Sequence, residues 1–360
     1  MATVDCSAEM SKYHKEEVTL QKADQDAMRS RRDAGRTRLE KGLERDGHPL
    51  PKETASQGSY AMRTMVQDAE CDYDIDDGDY FKKDDLKDSN GNELTPYAAR
   101  ERVCKALKQD ERLKHDAEIH RNCVRQKYPQ GYHIDIPVYR IVTSKDRDGK
   151  EVTEYELASE ESWTKSDARA VTRWFNNMVG ELNTGEADGS QMRHVTKLTK
   201  KFARSRLDWK PKTTSGICMT KLVTECFVAK PDRDDEALHE TWKAINSRLD
   251  KSLRIDHPVL TGKTLADEGD TAVSFLQDCL KKALEDLKVL NANDGTKTKG
   301  LKAWDHVFNT TFFSDQLAEG NSSRTSEGAT PNSLLRTAVA SVPLSFPNKP
   351  VVPNKPVGFA

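Results

Sequence analysis

The pattern of apolar residues changes near Ser159, and this change constrains the fold more than any other feature. Before it, residues from about Tyr73 to Tyr139 alternate as β-strands do, interrupted by one helix that begins at Thr95-Pro96. Beyond it, apolar residues recur at helical spacing almost to residue 312. The sequence therefore predicts an α+β fold, in which a mixed sheet with helices is followed by an all-helical C-terminal lobe.

Local signals place the individual elements. Ser7 to about Asp46 is rich in charge and has no proline, which predicts one long helix that ends at Gly47 and bridges the two lobes. Asp148-Gly149 between two apolar runs predicts a hairpin turn. In the second half we expect helices near residues 167–180, 190–206, 214–228, 234–253, 270–290 and 301–312.

The end of the chain differs in composition from the rest. Six of the fourteen prolines lie between Pro331 and Ala360, and no acidic residue follows Glu327. Such a segment cannot bury enough apolar area to offset its ordering entropy. We therefore expect a catalytic lobe over 1–160, a helical lobe over 161–314 and a flexible tail over 315–360.

Composition narrows the class of protein. Charged residues make up 32% of the 360 residues, and the formal net charge is −2, which argues against a protein that coats nucleic acid. No apolar run is long enough to span a bilayer, so we expect a cytoplasmic protein that contacts no membrane. The seven cysteines are scattered and never form Cys-x-x-Cys, which predicts neither a disulfide framework nor a structural zinc site.

Three aspartates lie in two segments that resemble strands. In Asp74-Ile75-Asp76 the side chains alternate, so both carboxylates share one face, with Cα atoms about 6.6 Å apart. In the segment 132–139, Asp135 lies opposite an apolar face, where a carboxylate is costly unless it is paired or bound to metal. If the two strands are neighbours, three carboxylates converge. Such hard oxygen ligands suit Mg²⁺ or Mn²⁺ rather than zinc.

Gly58-Ser59 supplies a complementary feature upstream of these aspartates. A glycine allows close approach of the backbone, and the serine N–H and hydroxyl can bind a phosphate group. The combination fits a two-metal mechanism, in which ions about 3.5–4 Å apart stabilise the attacking and leaving oxygens of a phosphoryl transfer. The sequence therefore predicts a nucleotidyltransferase.

The order Gly-Ser, Asp-x-Asp and a later Asp is similar to the polymerase-β-type nucleotidyltransferase superfamily. Gln-Gly-Ser-Tyr at 57–60, Asp-Ile-Asp-Asp-Gly at 74–78 and His-Ile-Asp-Ile-Pro-Val-Tyr at 133–139 resemble the bacterial cGAS/DncV-like nucleotidyltransferases, the CD-NTases. Stretches at 163–175, 198–202 and 215–217 resemble the helical lobe of that family. The resemblance covers roughly residues 10 to 312 and implies a polymerase-β-like core with a helical lobe.

The resemblance also implies roles for individual residues. Two Mg²⁺ or Mn²⁺ ions would be held by the catalytic carboxylates Asp74, Asp76 and Asp135. The donor nucleotide and its triphosphate would contact Gln57, Gly58, Ser59, Lys200 and Ser215. A phenylalanine replaces the usual tryptophan of the lysine-bearing helix, and two lysines adjoin there, which leaves Lys200 and Lys201 as alternatives.

The implied function is the synthesis of a cyclic di- or trinucleotide from ATP and/or GTP, in bacterial antiphage (CBASS) signalling. Two alternatives stay open: an enzyme that adds nucleotides to an RNA end or a protein acceptor, and a catalytically silent sensor. The Cys/His zinc element that the animal relative uses to bind DNA has no counterpart here, so we expect no nucleic-acid activator. For the C-terminal segment Val357-Gly358-Phe359-Ala360, the resemblance implies a ubiquitin-transfer-like enzyme as a partner.

Overall fold

A computed structural model describes residues 3–68, 73–108, 116–129, 131–182 and 190–317 of the chain. Within these ranges, no helix is both long enough and apolar enough to cross a membrane. The predicted tail over 315–360 lies almost wholly outside the described residues.

The N-terminal segment forms two helices, so the prediction of one long helix is wrong. Its elements are α1 (Ser7–Tyr13), a π-helical turn (His14–Val18) and α2 (Lys22–Arg45). Thr19 has an extended backbone, and the side-chain amide of Gln67 donates hydrogen bonds to the carbonyls of Glu16 and Thr19. Neither proline nor glycine lies at the break. Contacts with the rest of the fold therefore interrupt the helix.

Among the described residues, eight strands form one sheet. The sheet is mixed, as the sequence predicts. The strands are β1 (Glu53–Gln57), β2 (Asp74–Lys82), β3 (Glu118–Ile119), β4 (Val124–Lys127), β5 (His133–Ile136), β6 (Val138–Lys145), β7 (Glu151–Ala158) and β8 (Trp163–Lys165). Their order is β3-β4-β5-β2-β6-β7-β8, and β1 pairs with β2. β2 runs parallel to β5 and β6, and the other pairs are antiparallel. Because β8 pairs with β7, the sheet continues past residue 160.

Two helices in this half follow from local signals. A short helix, α3 (Gly58–Ala61), comes directly after β1, and α4 (Pro96–Leu107) begins where Thr95-Pro96 predicts. The Thr95 hydroxyl accepts a hydrogen bond from the Ala98 N–H at 3.1 Å, which satisfies one of the free donors at the helix start. The sheet packs on α2 and α4 through a buried cluster that includes Leu39, Leu43, Ile75, Phe81, Val103 and Leu107.

The second half is mainly helical and has its own core. Its helices are α5 (Ala168–Leu182), α6 (Ser190–Ala203), α7 (Gly216–Cys226), α8 (Asp234–Leu249), α9 (Thr271–Asp286) and α10 (Lys297–Phe308). A hairpin that the sequence did not predict joins β9 (Ile255–Asp256) to β10 (Thr264–Ala266). The core around Trp242 and Trp304 also buries Met10 and Tyr13 of α1. The N-terminal segment therefore contacts both halves of the fold.

Candidate active site

The two strands that carry aspartates lie side by side at the centre of the sheet. β2 pairs with β5 in parallel, with Asp76 opposite Asp135 and Asp74 opposite His133. The intervening Ile75 and Ile134 belong to the buried cluster on the other face of the sheet. Since side chains of paired residues point to the same face, the three predicted aspartates share one face.

Asp76 has an electrostatic environment that favours a bound cation. Burial raises its pKa well above the ordinary value, and the negative charges of Asp74 and Asp135 raise the pKa further. Its Oδ1 atom is buried and finds no hydrogen-bond donor among the described residues. An ionised carboxylate in such a place is costly without a compensating charge. The donor set of hard oxygens thus fits Mg²⁺ or Mn²⁺.

Asp135 is fully buried and is held by an arginine that sequence reasoning missed. Arg125 Nε donates to Asp135 Oδ1 at 2.6 Å, and Nη2 donates to Oδ2 at 2.7 Å. The two residues face each other across the antiparallel pair β4–β5. In the part of the chain that the structure describes, no group of three or more His, Cys, Asp or Glu side chains is arranged to hold one metal ion. The two strands are neighbours in the sheet, but the carboxylate of Asp135 forms an ion pair with Arg125.

Gly58 brings the backbone against Asp76. Its φ of +60° lies in the left-handed region that favours glycine. A β-carbon at this position would lie 2.3 Å from Asp76 Oδ2, which is far inside van der Waals contact. Ser59 follows in the first turn of α3 and is half-buried. The turn therefore places the candidate phosphate-binding residues directly beside a candidate metal ligand.

Gln57 is buried, and both polar atoms of its side-chain amide make hydrogen bonds. Its Nε2 donates to the Tyr80 hydroxyl at 2.7 Å, and its Oε1 accepts from the Tyr139 hydroxyl at 3.1 Å. The two tyrosine rings stack with their centroids 4.5 Å apart. These hydrogen bonds fix the residue before Gly58 to tyrosines of β2 and β6. A direct contact with the nucleotide, which the resemblance implies, would require its amide to leave both tyrosines.

Lys200 reaches from α6 to the segment that follows α3. Its ammonium group is buried and donates to Thr64 Oγ1 at 2.9 Å. Burial lowers the pKa of Lys200 to about 7, Arg204 adds to the lowering, and Asp74 opposes it. A β-carbon placed on Gly216 would lie 3.6 Å from Lys200 Cε, so the lysine lies beside the residue that follows Ser215.

Lys201 and Ser215 have other contacts. Lys201 Nζ donates to the Gln67 carbonyl at 3.5 Å, away from the Thr64 hydroxyl that Lys200 binds. Ser215 caps α7, because its hydroxyl accepts a hydrogen bond from the Cys218 N–H at 3.4 Å. Lys200 therefore lies beside Gly216, whereas Lys201 contacts Gln67.

The architecture is shared with solved structures of bacterial cyclases. The di-nucleotide cyclase DncV of Vibrio cholerae, in a complex with ATP and GTP, aligns with a TM-score of 0.63 at 16% identity, over 86% of this chain and 96% of that chain. CdnC of E. coli MS115-1, with ATP, aligns with a TM-score of 0.62 at 19% identity, over 86% and 99%. A V. cholerae DncV complex with the linear intermediate pppA(3′,5′)pG aligns with a TM-score of 0.63 at 15% identity, over 86% and 96%. These likenesses show the fold.

A family comparison covers the segment that carries the motifs. Residues 52–139 match the family model for the nucleotidyltransferase domain of DncV-like cyclic GMP-AMP synthases. The match spans Gly58-Ser59 and all three aspartates. Fold and motifs together define the chain as a nucleotidyltransferase with a polymerase-β-like core. The domain match over residues 52–139 agrees with the resemblance to the CD-NTases on which the motifs were interpreted.

Proposed function

We propose that this nucleotidyltransferase joins ATP and/or GTP into a cyclic di- or trinucleotide and releases pyrophosphate. The observation that carries the proposal is the pairing of Asp76 with Asp135 beside the Gly58 turn. The solved structures with the same fold support it, since DncV is described with ATP, GTP and a linear dinucleotide intermediate, and CdnC with ATP.

In this proposal each residue has a defined task. Asp74, Asp76 and Asp135 would hold Mg²⁺ or Mn²⁺ ions, which supply a lowered pKa for the attacking sugar hydroxyl and charge neutralisation for the leaving pyrophosphate. The Gly58 backbone and the Ser59 hydroxyl bind donor phosphates. Lys200 and Ser215 orient the triphosphate from the helical half, with Gln57 holding the Gly58 turn in place.

The proposed cellular role rests on the resemblance to the CD-NTases. We propose that the product is a second messenger of bacterial antiphage (CBASS) signalling in the cytoplasm, and that no nucleic-acid activator is required. The presence of a DncV-like domain supports this assignment.

The activity test is direct. The purified chain is incubated with ATP, GTP and Mg²⁺ alone, and we expect a phosphatase-resistant product whose mass identifies a cyclic oligonucleotide. Asp74→Asn combined with Asp76→Asn, or Asp135→Asn alone, should abolish synthesis, because these changes remove metal ligands. Asp135→Asn also breaks the ion pair with Arg125 and should lower stability. Thermal unfolding of each variant shows whether the fold is intact.

Asp77→Asn is the matched control. Asp77 lies on β2 next to Asp76 but points to the opposite face, where it pairs with Arg36. We expect it to lower stability and to keep synthesis per folded molecule. Nucleotides added to RNA or protein, without a cyclic product, would favour the alternative activity. Synthesis by the Asp74/Asp76 double variant would contradict the site.

We also propose that the C-terminus joins the chain to a partner of the ubiquitin-transfer-like class. The motif carrying this proposal is the apolar end Val357-Gly358-Phe359-Ala360. Deleting Gly358 to Ala360 should leave nucleotide synthesis unchanged but remove conjugation and weaken protection against phage. Truncated and full-length chains are compared in cells with the neighbouring genes present. Equal conjugation from both, or loss of synthesis by the truncated chain, would contradict this role.

A further inference from the structure

Arg125 neutralises a carboxylate that the proposed mechanism needs for metal. Both oxygens of Asp135 accept hydrogen bonds from the guanidinium, at 2.6 and 2.7 Å. Such a bidentate pair consists of two charge-assisted hydrogen bonds, which are stronger than bonds between neutral groups. No part of the Asp135 side chain is exposed, whereas 16% of the Arg125 side chain is.

The surroundings of Asp135 explain why a cation is needed there. Asp76 lies opposite Asp135 on β2, so the two carboxylates share one face of the sheet. His133 Nε2 lies 3.9 Å from Asp135 Oδ1, and His120 and Cys123 are further neighbours. Of these groups only Arg125 carries a permanent positive charge. Without it, a buried carboxylate beside two others would be uncompensated.

We infer that Arg125 is a positioning residue for the metal site: it occupies both oxygens of Asp135, and a divalent cation must compete with it for that carboxylate. The inference rests on the proposed function in one respect, namely that a divalent cation binds these aspartates. Two physical reasons support competition. A guanidinium that occupies both oxygens withdraws charge from the carboxylate, and it repels a second cation placed a few ångströms away.

Competition has a definite thermodynamic consequence. If Arg125 and the metal oppose each other on Asp135, the coupling is reciprocal, so removing one strengthens the binding of the other. Replacing Arg125 by an uncharged residue should therefore destabilise the protein without metal and tighten metal binding. A purely structural arginine would show the loss of stability alone.

The experiment measures Mn²⁺ binding to the full chain by electron paramagnetic resonance of the free ion, together with thermal unfolding. For Arg125→Gln we expect an apparent Kd for Mn²⁺ that is lower by about tenfold, within the range typical of coupled sites. We expect a lower Tm without metal and a larger rise of Tm on adding Mn²⁺. Arg125→Lys keeps the charge but loses the bidentate geometry, so its Kd for Mn²⁺ should lie between those of the wild type and of Arg125→Gln. This variant also tests the inference if Arg125→Gln does not fold.

Two controls isolate the effect. Arg36 makes an equivalent bidentate pair with Asp77, at 2.7 and 2.5 Å, on the opposite face of β2. Arg36→Gln should lower Tm and leave the Mn²⁺ affinity unchanged. In an Asp135→Asn background, Arg125→Gln should no longer tighten Mn²⁺ binding.

Unchanged or weaker Mn²⁺ binding by Arg125→Gln would overturn the inference, because it would show a structural or supporting arginine. A failure of the proposed function would give a different experimental result. If Mn²⁺ binding to the wild-type chain does not depend on Asp76, the metal site itself is wrong. If binding depends on Asp76 and not on Arg125, only the inference fails.

Discussion

At the scale of the residue, two separate physical constraints favour glycine at position 58. Its φ of +60° would cost an alanine about 1–2 kcal/mol of conformational energy. Independently, the added β-carbon would lie 2.3 Å from Asp76 Oδ2 and would displace that carboxylate. The first effect acts on folding, and the second acts on the geometry of the site.

We predict that Gly58→Ala lowers the rate of synthesis by about 100-fold, the loss typical of a displacement near 1 Å at reacting groups. Initial rates and thermal unfolding are measured on the same samples. Gly47→Ala is the control, because Gly47 has a φ of +68° and a β-carbon added there would have no atom within 4 Å. It should lose stability to a similar degree and keep its rate. Equal rates for both variants would show that the contact with Asp76 has no functional consequence.

Sequence reasoning finds some residues of this site and misses others for an identifiable reason. The alternation in Asp74-Ile75-Asp76 is local, so it correctly predicts the face on which the carboxylates lie. The contacts of Arg125 and Gln57 depend on strand register and on residues far along the chain. Local periodicity carries no information on such pairings.

At the scale of the element, predictions hold where the signal is local. The Thr95-Pro96 start of α4 and the Asp148-Gly149 turn between β6 and β7 are confirmed. α10 begins at Lys297 rather than near residue 301, because Thr296 caps it and its Oγ1 accepts from the Lys299 N–H. It ends where Asn309 adopts a left-handed conformation. Both signals are readable in the sequence, so this boundary was predictable.

The break in the N-terminal helix was not predictable from local signals. Val18 packs in the core of the helical half, while Leu20 packs in the core under the sheet. The carbonyls of Val18 and Thr19 accept hydrogen bonds from Gln67, which lies far along the chain, so the backbone at the break is satisfied by a non-local partner. The π-helical turn and the extended Thr19 provide the change in direction. Tertiary packing overrides helix propensity here.

At the scale of the whole molecule, cations of the helical half hold the segment that follows α3. Arg193 Nε donates to the Met62 carbonyl at 3.3 Å, and Lys210 pairs with Asp68 at 2.9 Å. Between them, Lys200 binds Thr64. The Gly58 turn is thus connected through residues 62–68 to helices that belong to the other core. A change in the position of α6 would move groups at the candidate phosphate site.

This placement predicts a pH dependence of nucleotide binding. Lys200 has a pKa lowered to about 7 by burial, so it is mostly protonated below pH 7 and mostly neutral above it. Since only the protonated form attracts a triphosphate, affinity should be constant below pH 7. Above it, affinity should fall by up to about tenfold per pH unit. The measurement is the Kd of a non-hydrolysable ATP analogue from pH 6 to pH 9.

Lys200→Gln removes this charge at every pH, so its Kd should be higher below pH 7 and approach that of the wild type above pH 8. Comparing both proteins at each pH cancels the titration of the nucleotide itself. Lys201→Gln is the matched control on the adjacent position of α6, where the side chain binds the Gln67 carbonyl. We expect it to keep the wild-type pH profile. A flat pH profile for the wild type would assign the triphosphate contact to a residue other than Lys200. The same would follow if Lys201→Gln flattened the profile and Lys200→Gln did not.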